Sequence, residues 1–409
     1  MSTLSKILNL VSTDLSCHEL CHTWTPSCTS ATAGIFRSCF LESLRIYGIL
    51  YMVGGVLRRA GVKYFKDHYL KDVLRSSLFL AANGGGFVAS ICLLRKFVGS
   101  FNYFSVVYLP ALIASCLAIL IEKKSRRSTL ALYMTNLAVE TSFNMLKERR
   151  LFKPIPNGEI IIFCTATATM MYLYRKKGSQ MDGLLNALIR FFLGSDDSRK
   201  HQEGIIVRDH SRAKWLQPTS KAFCTGYLIQ LVPVLLGHLK YLTTRPGLFF
   251  RSLINKDCFA CGLFLGSFVA IFKVVEWVLG LLRKKTDEIN ALVAGGLAGL
   301  SMIFYKSSTI ALYVASKMFE VVYNQGTSAG IFPSIPHAVI LTYSLSTALL
   351  FHSSVWEVQC VRPSYWRYLN VVTAKRLCEI NRKKADEVFG TESARFFPKD
   401  DLYFSLRRR

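Results

Sequence analysis

The chain has 409 residues, 51% of them hydrophobic, with a formal net charge of +25 and a mean hydropathy of +0.30. Its apolar residues are gathered into runs almost free of charge, and lysines and arginines fill the short stretches between them, as at Arg95–Lys96, Lys123–Lys124, Arg149–Arg150 and Arg283–Lys285. That layout argues against a nucleic-acid-binding domain, which gathers its charge on one folded polar surface. It fits an all-α, polytopic helical membrane protein whose basic residues anchor helix ends at anionic head groups.

Residues 1–38 form a cysteine-rich segment without the apolar core of a signal peptide. In CHELCHTWTPSC, residues 17–28, Cys17, Cys21, Cys28, His18 and His22 are metal ligands in kind. A zinc site usually has two ligand pairs separated by a loop, and here everything falls in one short stretch. Structural or palmitoylated thiols beside the membrane fit it better, no metal is assigned, and metal binding stays an open question. Cys92, Cys116 and Cys164 lie inside apolar runs, where a free thiol packs as a small apolar group.

A first set of five apolar elements lies within residues 39–177, at 40–57, 76–94, 101–121, 128–146 and 158–175. Some approach the roughly 20 residues a spanning helix needs; others are nearer about 15, the length of a buried core helix. Residues 178–221 are a linker. Leu184, Leu185, Leu188, Ile189 and Phe192 share a helical face there, which predicts a short amphipathic helix on the membrane surface. A charged stretch, Ser195–Lys214, follows it. A second set lies within 222–356, at 222–242, 258–281, 288–304, 307–323 and 336–355, the first of them interrupted by Pro233. Residues 357–409 read as a basic polar tail ending Arg407–Arg408–Arg409, which is not a Ser-Lys-Leu peroxisomal address.

The two sets match at a fixed offset. Residues Ala111–Asn144 laid over Ala291–Asn324 agree without a gap at thirteen of thirty-four positions, among them Leu117/Leu297, Ser128/Ser308, Tyr133/Tyr313 and Glu140/Glu320. Ile155–Pro156 recurs as Ile335–Pro336 at the same offset. Chance likeness of apolar helices does not keep register through polar turns, so the pattern predicts two internal repeats of four to five helices each. Whether the repeats insert parallel or inverted depends on whether the first element of each spans, and the basic residues leave that open.

Four glycines and three charged residues stand out. Gly262 with Gly266, and Gly295 with Gly299, form GxxxG pairs that let helix backbones approach closely in lipid. Glu140 and Glu320 sit at matched positions late in matched helices, either at the membrane boundary or on a lipid or ion path. Lys317 is placed to pair with Glu320 within its helix, and Lys273 with Glu276. There is no P-loop, no GxSxG and no HExxH, so no catalytic residue, no cofactor and no enzymatic activity are expected.

Several stretches resemble one family along almost the whole chain: HTWTPSC (22–28), ESLRIYGILYMV (42–53), LAANGG (80–85), IEKKSRR (121–127), AGLSMIFYKSSTIALYVASK (298–317) and VRPSYW (361–366) are similar to the transmembrane protein 135 family. The glycine-bearing helices of 258–323 also resemble, less closely, the Tim17/Tim22/Tim23 translocases. The family resemblance implies an integral protein of peroxisomal and mitochondrial membranes that influences mitochondrial fission and the handling of fatty acids and cholesterol. Its expected partners are membrane lipids, the organelle fission machinery and further copies of itself, with no nucleic acid. Two other readings remain open. One is a carrier holding a lipid or acyl substrate between the repeats, and the other is a translocase-like assembly module.

Overall fold

The computed structural model describes residues 12–57, 61–151, 153, 155–177, 189–191, 213–238, 255–285 and 287–397. The predicted amphipathic helix around Leu184–Phe192 and the charged stretch after it lie almost wholly outside these residues. The all-α class is the one observed. Among the described residues one two-residue antiparallel pairing occurs, between β1 (Ser12–Thr13) and β2 (Phe101–Asn102).

The chain divides into two compact units. Unit 1 runs to Lys153 and resumes at Ile335; unit 2 is Pro154–Ser334. Unit 1 opens with α1 (Cys17–Leu20), α2 (Cys28–Leu57), α3 (Leu70–Val98), α4 (Tyr108–Ala118) and α5 (Lys124–Glu148). Unit 2 holds α6 (Gly158–Lys177), α7 (Ala213–His238), α8 (Lys256–Arg283), α9 (Glu288–Gly299) and α10 (Ser308–Ser328). The chain then returns to unit 1 with α11 (Ala338–Trp356), α12 (Pro363–Val372) and α13 (Arg382–Phe389).

The packing order within each unit is the same, with one exchange. In unit 1, α2 packs on α3, α3 on α4, and α11 against both α4 and α5. In unit 2, α7 packs on α8, α8 on α9, and α6 against both α9 and α10. The fifth apolar element of the first set, α6, therefore holds in unit 2 the place that α11, the fifth of the second set, holds in unit 1. The boundary between units falls at Lys153, not at residue 177 where the sequence repeat ends. An apolar run shows that a helix will be buried but does not name its neighbour, and the short connection after α5 lets the next helix join either unit.

Local backbone recurs at the offset of the sequence match. The end of α5 is closed by Leu151 N donating to Leu146 O (3.0 Å) and Arg150 N to Lys147 O (3.0 Å). The end of α10 is closed by Ile331 N donating to Gly326 O (2.8 Å) and Gly330 N to Thr327 O (3.1 Å). Both are Schellman closures with a left-handed residue, Arg150 in one case and Gly330 in the other. Pro156 and Pro336 each precede a further left-handed residue, and then α6 and α11 begin.

Among the described residues, four helical stretches are long and apolar enough to cross a membrane: Cys28–Val56, Val62–Val98, Lys256–Arg283 and Ala338–Trp356. Their outer faces expose large apolar side chains such as Ile49, Val56, Leu93, Leu263 and Leu345, the faces that lipid covers. The protein is an integral membrane protein. α7 runs continuously through Pro233, where the sequence suggests a break, and begins earlier than the apolar run. Proline is tolerated in membrane helices because neighbouring groups take up the freed carbonyl.

The C-terminal segment departs from a polar tail. Its charges alternate with an apolar stripe, and that stripe joins the core of unit 1: Trp366, Tyr365, Leu369 and Val372 of α12 and Ala385 and Phe389 of α13 are buried. Pro363 at the first position of α12 starts that helix without losing a needed donor.

A candidate apolar cavity and a cysteine–histidine cluster in unit 1

Unit 1 holds a partly open cavity of about 570 Å³. Its walls come from α2 (Ile35, Tyr47), α3 (Asn83, Phe87), α5 (Met134), α11 (Tyr343) and α12 (Tyr368), and from Trp24 ahead of α2. Gly84 helps to form it. A Cβ there would lie 2.6 Å from Cys39 Sγ, so a larger residue would force the Cys39 side chain to move where α2 and α3 meet.

The polar groups at the cavity are few. Asn83 is 3% exposed; its Nδ2 donates to Tyr343 Oη at 3.0 Å, while its Oδ1 has no hydrogen-bond partner among the described residues. Tyr365 and Tyr368, which also line the cavity, have hydroxyls that burial pushes far above the ordinary tyrosine range, so both stay neutral. Arg376 stands over the Trp24 ring, 5.4 Å from its centroid.

Close to this wall, the N-terminal segment is tied down from two sides. Arg95 of α3 donates to Leu15 O (3.0 Å) and Asp14 O (2.8 Å). On the other side, Asn381 N donates to Leu20 O (3.0 Å) and Thr23 Oγ1 to Glu379 O (2.7 Å). Ser16 caps α1 in a capping box with Glu19, which sets the direction of that helix.

This framing brings Cys17, His22, Cys28 and Cys92 together, one ligand atom of each within 4.8 Å of all the others. His22 is 1% exposed; its Nδ1 lies 2.8 Å from Thr25 O and its Nε2 lies 3.6 Å from Cys92 Sγ. A hydrogen bond with Cys92 outweighs desolvation and brings the Cys17 thiol down to about 6. Of the residues singled out in 17–28, His18 and Cys21 stand outside the cluster. Cys21 faces the core instead, where burial pushes its thiol well up. Cys92, read from sequence only as a thiol in an apolar run, completes the set. No spacing signal points to it, since a helix and a loop separate it from the other three.

The remaining singled-out residues lie in two places. In unit 2, Gly295 and Gly299 face α6: a Cβ at Gly299 would lie 2.6 Å from Cys164 Cα, and one at Gly295 would lie 2.8 Å from Thr167 O. Gly262 and Gly266 face α7, with Phe223 the nearest residue to both. Lys317 Nζ lies 3.0 Å from Glu320 Oε2 within α10. Glu276 of α8 is ion-paired with Arg175 of α6, a partner distant in sequence. In unit 1, Glu140 of α5 is ion-paired with Arg362, the residue ahead of α12, with Arg362 Nε 3.3 Å from Glu140 Oε1.

No solved structure matches the chain. Residues 14–146 match a family model described as the N-terminal cysteine-rich region of Transmembrane protein 135, a span that holds all four members of the cluster and the α2, α3 and α5 walls of the cavity. Over that region the chain is similar to the transmembrane protein 135 family.

Proposed function

We propose that the protein handles lipid by taking one apolar molecule into the cavity of unit 1, without catalysing a reaction on it. The observation that carries this reading is the cavity itself: its volume falls within the range of about 300–1,000 Å³ typical of small-molecule sites, and its wall is apolar but for a few placed polar groups. A long-chain fatty acid or a sterol offers the matching chemistry, a hydrocarbon body with one polar end. A hydroxyl end, as on a sterol, would donate to Asn83 Oδ1.

Placement in peroxisomal and mitochondrial membranes, an effect on mitochondrial fission, and association with the fission machinery or with further copies of the chain belong to the same proposal and rest on the resemblance to that family alone. A translocase-like assembly role through the glycine faces has less support. Gly295 and Gly299 are already covered by α6, and Gly262 and Gly266 by α7, so those faces are spent inside unit 2.

The test is photocrosslinking of the purified full-length chain in nanodiscs, with one photoreactive sterol and one photoreactive fatty acid. Labelled peptides from α3, α11 and α12, competed away by unlabelled lipid, support the reading. Labelling confined to the outer faces of the spans, without saturation, sinks it.

A further inference from the structure

The cysteine–histidine cluster has the composition and the spacing of a closed metal site. Cys17 opens α1, His22 sits in the following turn, Cys28 opens α2, and Cys92 is near the C-terminal end of α3. Four ligand atoms within 4.8 Å of one another leave room at their centre for one ion. Zinc bound tetrahedrally, with Zn–S of about 2.3 Å and Zn–N of about 2.0 Å, sets a sulfur and a nitrogen about 3.5 Å apart. Cys92 Sγ and His22 Nε2 are 3.6 Å apart.

The surroundings agree. His22 Nδ1 meets the Thr25 carbonyl at 2.8 Å, so it carries the ring proton and leaves Nε2 bare toward the cluster, the outer-shell arrangement that orients a metal-bound imidazole. Three thiolates and a neutral imidazole around a divalent ion leave one negative charge, and the Arg95 guanidinium, one turn beyond Cys92 and anchored on Leu15 O and Asp14 O, stands nearby to offset it. Sulfur-rich, four-coordinate and closed is the pattern of structural zinc.

We infer that Cys17, His22, Cys28 and Cys92 bind one zinc ion, which clasps the N-terminal segment to α3. Binding releases the three thiol protons to solvent and involves no change of oxidation state. Cys21, His22 and Trp24 of the clasped segment line the apolar cavity, so the ion fixes one of its walls. The zinc assignment does not rest on the lipid reading and is tested without lipid.

The experiment is elemental analysis of the full-length chain purified in detergent with a non-chelating reductant. Zinc at about one ion per chain is expected. Cys92→Ser and His22→Gln are each expected to lose it, and Cys224→Ser, an exposed thiol outside the cluster, to keep it. Because a ligand variant can fail to fold, the wild-type chain is also reconstituted with cobalt(II). Thiolate-to-cobalt charge transfer together with intense tetrahedral d–d bands supports the site, as does a rise in Cys17 and Cys28 alkylation once a chelator is added. Three results overturn it: no metal in chain whose four groups are intact and reduced, a disulfide or acyl group found on Cys17, Cys28 or Cys92 as isolated, or metal retained by folded Cys92→Ser.

Discussion

Asn157 and His337 hold the same left-handed backbone, φ 58° and 59°, although 180 positions separate them, and each stands immediately ahead of a helix, α6 and α11. Asparagine and histidine are among the non-glycine residues that accept this conformation most readily. A β-branched residue does not, because its Cβ crowds the following carbonyl. Asn157→Val and His337→Val are each expected to cost about 1–2 kcal/mol. Asn157→Gly and His337→Gly should be close to neutral. Thermal unfolding of the detergent-solubilised chain reads the difference, and an equal loss for valine and glycine would show that side-chain contacts set these positions.

Gly299 offers a sharper test of how α6 is held. Its Cβ position lies 2.6 Å from a backbone atom, Cys164 Cα, which cannot swing aside as a side-chain tip would. Even Gly299→Ala should therefore push α6 from α9 and destabilise unit 2 by about 1–3 kcal/mol. Limited proteolysis should show new cleavage within Pro154–Ser334 while the flanking fragments stay resistant. Uniform loss of resistance along the chain would contradict the assignment of α6 to its own folding unit.

The acceptor in the cavity should discriminate between ligands. Asn83→Leu keeps the size of the side chain and removes the free Oδ1 together with the bond to Tyr343. Affinity for a lipid with a hydroxyl end should fall several-fold, on the order of 1 kcal/mol, and affinity for the matching hydrocarbon should hold or rise. Competition against a fluorescent lipid reads both; equal weakening of the two would remove Asn83 from the recognition of the polar end.

These predictions draw unequally on sequence and structure. The apolar runs, their basic flanks and the glycines of α8 and α9 were legible because each depends on spacing within one helix. The proline–left-handed–helix junctions at 156–158 and 336–338 were half legible: the prolines marked the helix starts, but nothing marked Asn157 and His337 as strained. Cys92 was hidden because a metal-like cluster assembled from three helices and a turn has no fixed spacing in sequence. The exchange of α6 and α11 was hidden for a related reason: an apolar run does not say which helices it will pack against. α12 was missed because the basic residues of the whole C-terminal segment dominate a composition count, whereas its helical period puts Tyr365, Trp366, Leu369 and Val372 on the buried side.

The docking of that C-terminal segment should depend on pH through Asp386. Partial burial acts to raise its carboxyl pKa, but hydrogen bonds outweigh burial: Thr391 Oγ1, Ala394 N (2.7 Å), Ser393 Oγ (2.7 Å) and Ser393 N (2.8 Å) all donate to it, and they hold it below its ordinary value of 3.8. A carboxylate depressed in the folded state contributes its full stability above the unfolded pKa and loses it as pH falls through the folded one. The turn after α13 should therefore hold through neutral and mildly acid solution and loosen only below about pH 4. Trp366 is a local reporter, 1% exposed and set edge-on to Phe397 at 5.9 Å. Its fluorescence should shift in that acid window in the wild-type chain. In Asp386→Asn the segment should already be loosened at neutral pH and the acid step should vanish, whereas a step that persists unchanged would assign the transition to another carboxylate.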